Sequence, residues 1–175
     1  RSVIYGETGV LAGISEGAIL ADHTTTSAEL ARELYSACKQ KGVGFLDSPV
    51  SGGEARSVNG ALTIMVGGDD AVYDIAAPVM STYAKSVRLM GPSGAGQLTK
   101  MVNQICIAGL LQGLSEGLNF AERAGLNIED VVSVISKGAA QSWQMENRAQ
   151  TMQLNKFDFG FAVDWMRKDL KICIN

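Results

Sequence analysis

"GPSGAGQLTKMVNQ", Gly91 to Gln104, divides the chain into two kinds of pattern. Before it, short continuous apolar runs alternate with helical periodicity. After it, only helical signals remain. The stretch is a loop with three glycines that opens straight into a helix, and glycine lets the backbone approach something small closely. Lys100 and Asn103, three residues apart, emerge on one face of that helix.

Upstream, "GAILADHTT" (Gly17 to Thr25) reads as a short buried strand. "SAELARELYSACKQKG" reads as the helix after it, with Ser27 as cap, Leu30, Leu34 and Ala37 at 3–4 spacing and Gly42 as stop. "VGFLDSPV" is the next strand, then "ALTIMVGG" (Ala61 to Gly68), a helix from about Asp69 to Met80 and a strand at "SVRLMG". Strand, helix, strand with apolar strands indicates an α/β unit whose sheet is covered on both faces, with room for some later strands to pair antiparallel.

Downstream, a domain boundary is expected at Pro92. One helix is expected from Gly94 or Ala95 to about Ala124, stopped by Gly125. Gln112, Ser115, Glu116 and Asn119 make a narrow polar stripe on it, which predicts a helix buried on most sides, in a helical domain or a subunit contact. Shorter helices follow at "NIEDVVSVISKG", "QSWQMENRAQTM" and "FAVDWMRKDLKICIN". The chain starts at Arg1 without an initiator methionine and stops at Asn175 inside a helical pattern, so it reads as an interior segment of a longer protein.

Composition excludes several classes. With 175 residues, 46% hydrophobic content, 15 basic and 18 acidic side chains and a formal charge of −3, there is no basic footprint for nucleic acid or an anionic membrane. No apolar run reaches membrane-spanning length. Cys38, Cys106 and Cys173 are widely spaced, which suggests buried thiols in a reducing compartment and neither a disulfide framework nor a zinc knuckle. A single histidine, His23, argues against histidine metal sites and a serine–histidine–aspartate triad. A small-molecule partner is the expectation, with no metal.

Three stretches carry chemistry. In "DSPVSGGEARSVNG", Ser51, Gly52 and Gly53 follow a strand, where consecutive backbone N–H groups make an anion pocket or an ordinary glycine turn. In "GAGQLTKMVNQ", Lys100 is either a solvated lysine or an acid/base amine whose pKa burial lowers. In "FAVDWMRKDL", Arg167 and Lys168 stand against Asp164 and Trp165 on a helix, which by itself reads first as a capped, charged surface turn. No dinucleotide fingerprint, P-loop or metal motif occurs. The residues by themselves support a small-anion site with a lysine acid/base.

Taken in order, "DHTTTSAE", "DSPVSGGEARSVNGALTIMVGG", "GPSGAGQLTKMVNQ" and "GFAVDWMRKDL" resemble the β-hydroxyacid dehydrogenase family over nearly the whole chain. The resemblance implies the C-terminal part of an NAD(P)-binding Rossmann-type α/β domain over residues 1–92. An all-α domain begun by a long interdomain helix, similar to the C-terminal domain of 6-phosphogluconate dehydrogenase, is implied over 93–175. It implies an oxidoreductase that moves hydride between NAD or NADP and a short β-hydroxy acid or its semialdehyde. Lys100 matches the family's general acid/base, and Ser51, Gly52 and Gly53 match its substrate-carboxylate loop. Asn103 matches the asparagine that orients substrate, Thr25 the threonine beside the cofactor and Lys168 the lysine near the nicotinamide. A homo-oligomer, dimer or tetramer, in the cytoplasm or the mitochondrial matrix, is implied as well.

Two departures bear on this. Asn103 is followed by Gln104 where a second asparagine is common, and the small residue common downstream of the serine–glycine–glycine is here Ser57. The phosphate loop and the NAD/NADP-selecting residue would precede Arg1, so the segment as given is expected to bind a dinucleotide weakly or not at all. 6-Phosphogluconate dehydrogenases place a histidine where Asn103 stands, and imine reductases usually lack the lysine. A catalytically silent relative acting as an oligomerisation or binding module is the competing reading.

Overall fold

Residues 1–174 are described by a computed structural model. Ser27 does start a helix: its hydroxyl accepts the Leu30 N–H, and helix α2 follows over Ala28–Gln40. The short helix α1, Val10–Gly13, and strand β1, Ile19–Asp22, precede it. Strand β2 (Gly44–Asp47) is followed by the two-residue β3 (Val50–Ser51), helix α3 (Gly53–Val58) and strand β4 (Leu62–Gly68). Helix α4 (Asp70–Met80) and strand β5 (Ala84–Gly91) complete the alternation. The single strand expected at "VGFLDSPV" is therefore interrupted at Ser48 and Pro49, although the Ser48 N–H still donates to the Asp22 carbonyl and the Pro49 carbonyl accepts the Met65 N–H; proline itself has no N–H to offer a ladder.

The sheet is mixed. β1 pairs parallel with β2 in the register Ile19↔Gly44. β2 and β3 both run antiparallel to β4, through Leu46↔Gly68 and Val50↔Ile64, and β4 pairs parallel with β5. Alternation along β2 sends successive side chains to opposite faces. Phe45 joins Ala31, Leu34, Cys38 and Val43 on one side, and Leu46 joins Ile64, Val66 and Met80 on the other. The expectation of a sheet covered on both faces holds at β2 and fails at β5, where Lys85, Ser86, Arg88 and Met90 are exposed at the edge. In α2 the buried stripe is Ala28, Ala31, Leu34 and Cys38, so Leu30 and Ala37 sit beside it.

Helix α5 runs Ala95–Arg123, and α6 (Ile128–Ile135), α7 (Trp143–Gln153) and α8 (Val163–Cys173) follow. Two compact units divide the chain inside α5: Arg1–Asn103 with the stretch from Arg167 onward, and Gln104–Met166. In the second unit, Ser142 and Asn127 cap α7 and α6 by accepting the N–H groups of Met145 and Asp130. Within this chain α5 is buried along one stripe. Its buried positions are Gly96, Gln97, Lys100, Met101, Gln104, Leu114 and Ala121, while Ile105 and Phe120 are exposed. Ile107, Leu110, Leu111 and Leu118 are half-buried beside that stripe.

The thiols are free: Cys38 is buried, but Cys106 is exposed, because it falls off α5's buried stripe. No helix among the described residues is long and apolar enough to cross a membrane.

Candidate functional site

The first unit is organised around the end of β2. Asp47 is fully buried there, and its two carboxylate oxygens accept the backbone N–H groups of Gly94 (2.7 Å) and Gln97 (3.0 Å). The first N–H groups of a helix have no partner within the helix, and a carboxylate at that end also meets the positive pole of the backbone dipoles. Asp47 thus caps α5 from a strand nearly fifty residues earlier. Burial pushes its carboxyl pKa up from the ordinary 3.8, against the hydrogen bonds that favour the ionised form.

One turn into α5, Gln97 is buried and its amide is satisfied at both ends. Nε2 donates to the Thr24 carbonyl at 2.7 Å, and Oε1 accepts the Thr26 N–H at 3.0 Å. The loop after β1 is thereby fixed on either side of Thr25. Asp22 accepts the Thr24 N–H at 2.9 Å. His23 sits half-buried between two further elements, with Nδ1 2.6 Å from the Ser48 carbonyl oxygen and Nε2 3.0 Å from the Tyr83 hydroxyl. A carbonyl can only accept, so Nδ1 carries the proton and Nε2 accepts from Tyr83. Burial raises the Tyr83 pKa, which keeps that hydroxyl a donor.

Lys168 reaches this loop from α8. Its ammonium donates to the Thr25 carbonyl at 2.8 Å and lies 3.0 Å from Asp169 Oδ1, with its own side chain 43% exposed and that of Asp169 only 2%. Lys100 is 7% exposed, so the solvated alternative fails. Burial pushes its pKa down from 10.5; Asp169 pushes it back up, and the Lys168 charge adds to the lowering. The structure thus gathers Thr25, Lys168, Asp169 and Lys100. A buried amine with a lowered pKa, a carboxylate that tempers the lowering and a second cation make a group that gives up its proton more readily than a solvated lysine.

Asn103 lies three residues beyond Lys100 on α5 and is half-buried. The serine–glycine–glycine turn comes from another part of the unit. Ser51 pairs with Thr63 in the ladder, and Gly52 (φ 144°) and Gly53 (φ 65°) lead into α3. Positive φ at two successive residues is open to glycine and turns the backbone abruptly. Asp47, Gln97 and Asp169 were not singled out in the sequence. The signals for them were a buried-strand aspartate before Ser-Pro, a polar residue in an apolar helix turn, and the acid next to Lys168. Among the described residues, no group of three or more His, Cys, Asp or Glu is placed to hold a metal ion.

Comparison with known families covers both parts of the chain. A family model described as the NAD binding domain of 6-phosphogluconate dehydrogenase matches residues 1–91, and one described as the NAD-binding region of NADP-dependent 3-hydroxyisobutyrate dehydrogenase matches residues 94–175. The chain belongs to the β-hydroxyacid dehydrogenase family of NAD(P)-dependent oxidoreductases. Within that family it is 59% identical over 175 residues to an uncharacterized oxidoreductase of Shewanella frigidimarina, covering 100% of this chain and 60% of the relative. It is 40% identical to a probable mitochondrial 3-hydroxyisobutyrate dehydrogenase-like protein of Arabidopsis thaliana, over 97% of this chain and 50% of that one. The structure of 3-hydroxyisobutyrate dehydrogenase from Mycobacterium tuberculosis with L-serine is similar at a TM-score of 0.86 and 30% identity, covering 96% of this chain and 60% of that one. The chain therefore spans about 60% of the length of the first of these relatives. A Rossmann-like α/β part followed by helices beginning with α5 is the fold of the family, as the sequence led us to expect.

Proposed function

We propose that the whole protein interconverts a short β-hydroxy acid and its semialdehyde, with Lys100 as general acid/base. One observation carries the reading: Lys100 is the buried cation of the first unit, with its ammonium disfavoured by burial. In the direction of oxidation, the neutral amine takes the hydroxyl proton as the carbonyl forms. In reduction, the ammonium returns it to the developing alkoxide, whose charge is stabilised far more in a dry site than in water.

Residues around Lys100 fit the nicotinamide end of a dinucleotide. Ligands of open α/β sheets lie beyond the carboxyl ends of the strands, and Thr25 and Lys168 meet beyond the end of β1. When bound, NAD or NADP supplies the hydride acceptor or donor. Thr25 and Lys168 would hold it, with the Thr25 backbone already fixed by Gln97 through Thr24 and Thr26. Ser51, Gly52 and Gly53 would bind the substrate carboxylate through backbone N–H groups, and Asn103 would orient the hydroxyl. The reading includes self-association, supported by apolar side chains such as Phe120 that α5 leaves exposed.

The test is turnover of the full-length protein on a panel of short hydroxy acids and semialdehydes, with NAD and NADP tried separately and Lys100→Ala alongside. Turnover on one acid that falls at least about 100-fold in the variant is the expected result. Turnover that survives the substitution overturns the role of Lys100, and silence across the panel favours the binding-module reading.

A further inference from the structure

Gln97 precedes Lys100 by three residues on α5, or about 4.5 Å along the helix axis. It is 1% exposed, a position that a leucine or methionine would fill without any polar atom to satisfy. Instead its amide pairs with the backbone on both sides of Thr25, through the Thr24 carbonyl at 2.7 Å and the Thr26 N–H at 3.0 Å, as a neighbouring strand would. Its own N–H is held at 3.0 Å by Asp47, which belongs to β2. The sheet, the first turn of the lysine-bearing helix and the loop that carries Thr25 are joined through one side chain. Lys168 holds the Thr25 carbonyl between the two anchor points.

We propose that Gln97 is a positioning residue, which fixes the separation between the Lys100 amine and the dinucleotide-facing Thr25 by pinning the 24–26 backbone to the first turn of α5. The inference rests on the roles proposed above for Lys100 and Thr25. A loop fixed in advance does not have to be ordered when the reactants bind, and small misplacements of reacting groups are costly in rate. Packing alone would require only the volume of Gln97. Positioning requires both ends of its amide.

Two substitutions in the full-length protein separate these. Gln97→Met keeps the volume and removes both hydrogen bonds; Gln97→Glu keeps an acceptor for the Thr26 N–H and loses the donor to Thr24. Three quantities are read: amide hydrogen exchange at Thr26 in the free protein, dinucleotide affinity by fluorescence titration, and kcat with KM for each reactant. In Gln97→Met, Thr26 exchange is expected to rise about tenfold. Its dinucleotide affinity is expected to fall about tenfold and kcat up to about 100-fold, with the hydroxy-acid KM little changed. Gln97→Glu is expected to keep Thr26 protected and to lie between the two in kcat, and it alone decides the matter if the methionine variant does not fold.

Wild-type kcat and dinucleotide affinity in the variant that folds would overturn the proposal, whether or not Thr26 exchange rises. So would a uniform loss that tracks a lowered melting temperature and spares neither reactant. If the wild-type protein turns over no hydroxy acid, the proposed reaction fails, while exchange and dinucleotide titration still decide the role of Gln97.

Discussion

The backbone of Gly96 lies against Asp47. A Cβ at Gly96 would meet the Asp47 carbonyl oxygen, sit 2.9 Å from Asp47 Oδ2 and lie 2.5 Å from the carbonyl oxygen of Met65. Gly67, on the neighbouring strand, is as crowded: a Cβ there would be 2.6 Å from Asp47 Oδ1 and 2.8 Å from the Gly96 nitrogen. Two glycines therefore let the first turn of α5 sit directly on the strand ends, close enough for one carboxylate to take two of its N–H groups. The depth of that seat fixes where Lys100, one turn later, emerges.

Gly96→Ala is expected to destabilise the protein by about 3 kcal/mol, since the neighbours that would have to move are backbone carbonyls rather than flexible side chains. Denaturant unfolding measures the loss. A change below about 0.5 kcal/mol, the range of ordinary surface substitutions, would show that the helix shifts freely and is not seated as described.

Asp47→Asn tests the carboxylate itself. Burial raises the folded-state pKa of Asp47 above 3.8. The folded protein then binds a proton more tightly than the unfolded chain does, so this group's contribution to stability is fully present below 3.8 and is lost as pH rises through the folded value. Asparagine does not titrate. The stability of wild type relative to the variant is expected to shrink as pH climbs from about 3.8 towards the raised value, measured by urea unfolding at a series of pH values. A difference that widens over the same range would mean that the hydrogen bonds from Gly94 and Gln97 outweigh burial.

Much of this was legible in the sequence because it is local. The Ser27 cap, the apolar runs of β2 and β4 and the length of α5 all follow from neighbours in the chain. The resemblance picked out Lys100 by its motif, and the apolar residues around it foretold its burial. What stayed hidden was long-range. Asp47 serves a helix that starts 48 residues later, Gln97 serves a loop 71 residues earlier, and Lys168 reaches a carbonyl 143 residues away. No periodicity encodes such pairs. The glycines at 67 and 96 were visible, but their partners in space were not. Along α5, apolar content states what a surface can bury, and the fold of this chain covers one stripe of it.

The lowered pKa of Lys100 fixes the shape of the pH dependence. Oxidation needs the neutral amine, so kcat/KM for the hydroxy acid is expected to rise with pH through the depressed value, below 10.5. Reduction needs the ammonium, so kcat/KM for the semialdehyde is expected to fall through the same value. Rate profiles in both directions check this, and limbs that slope the same way would remove Lys100 from the proton transfer.

The two neighbours of that lysine should move the limb in opposite directions. Lys168 lowers the Lys100 pKa and Asp169 raises it, each secondary to burial. Removing the cation in Lys168→Met relieves a repulsion on the Lys100 ammonium, so the oxidation limb is expected to shift to higher pH. Removing the anion in Asp169→Asn withdraws an attraction in a site where water screens little, so the limb is expected to shift to lower pH. Lys168→Met also frees the Thr25 carbonyl, which should appear separately as a higher KM for the dinucleotide. The pH profile and the dinucleotide KM thus report two different consequences of one substitution. Shifts of the same sign in both variants would mean that the profile follows some other group, and the charge arrangement around Lys100 would lose its place in the mechanism.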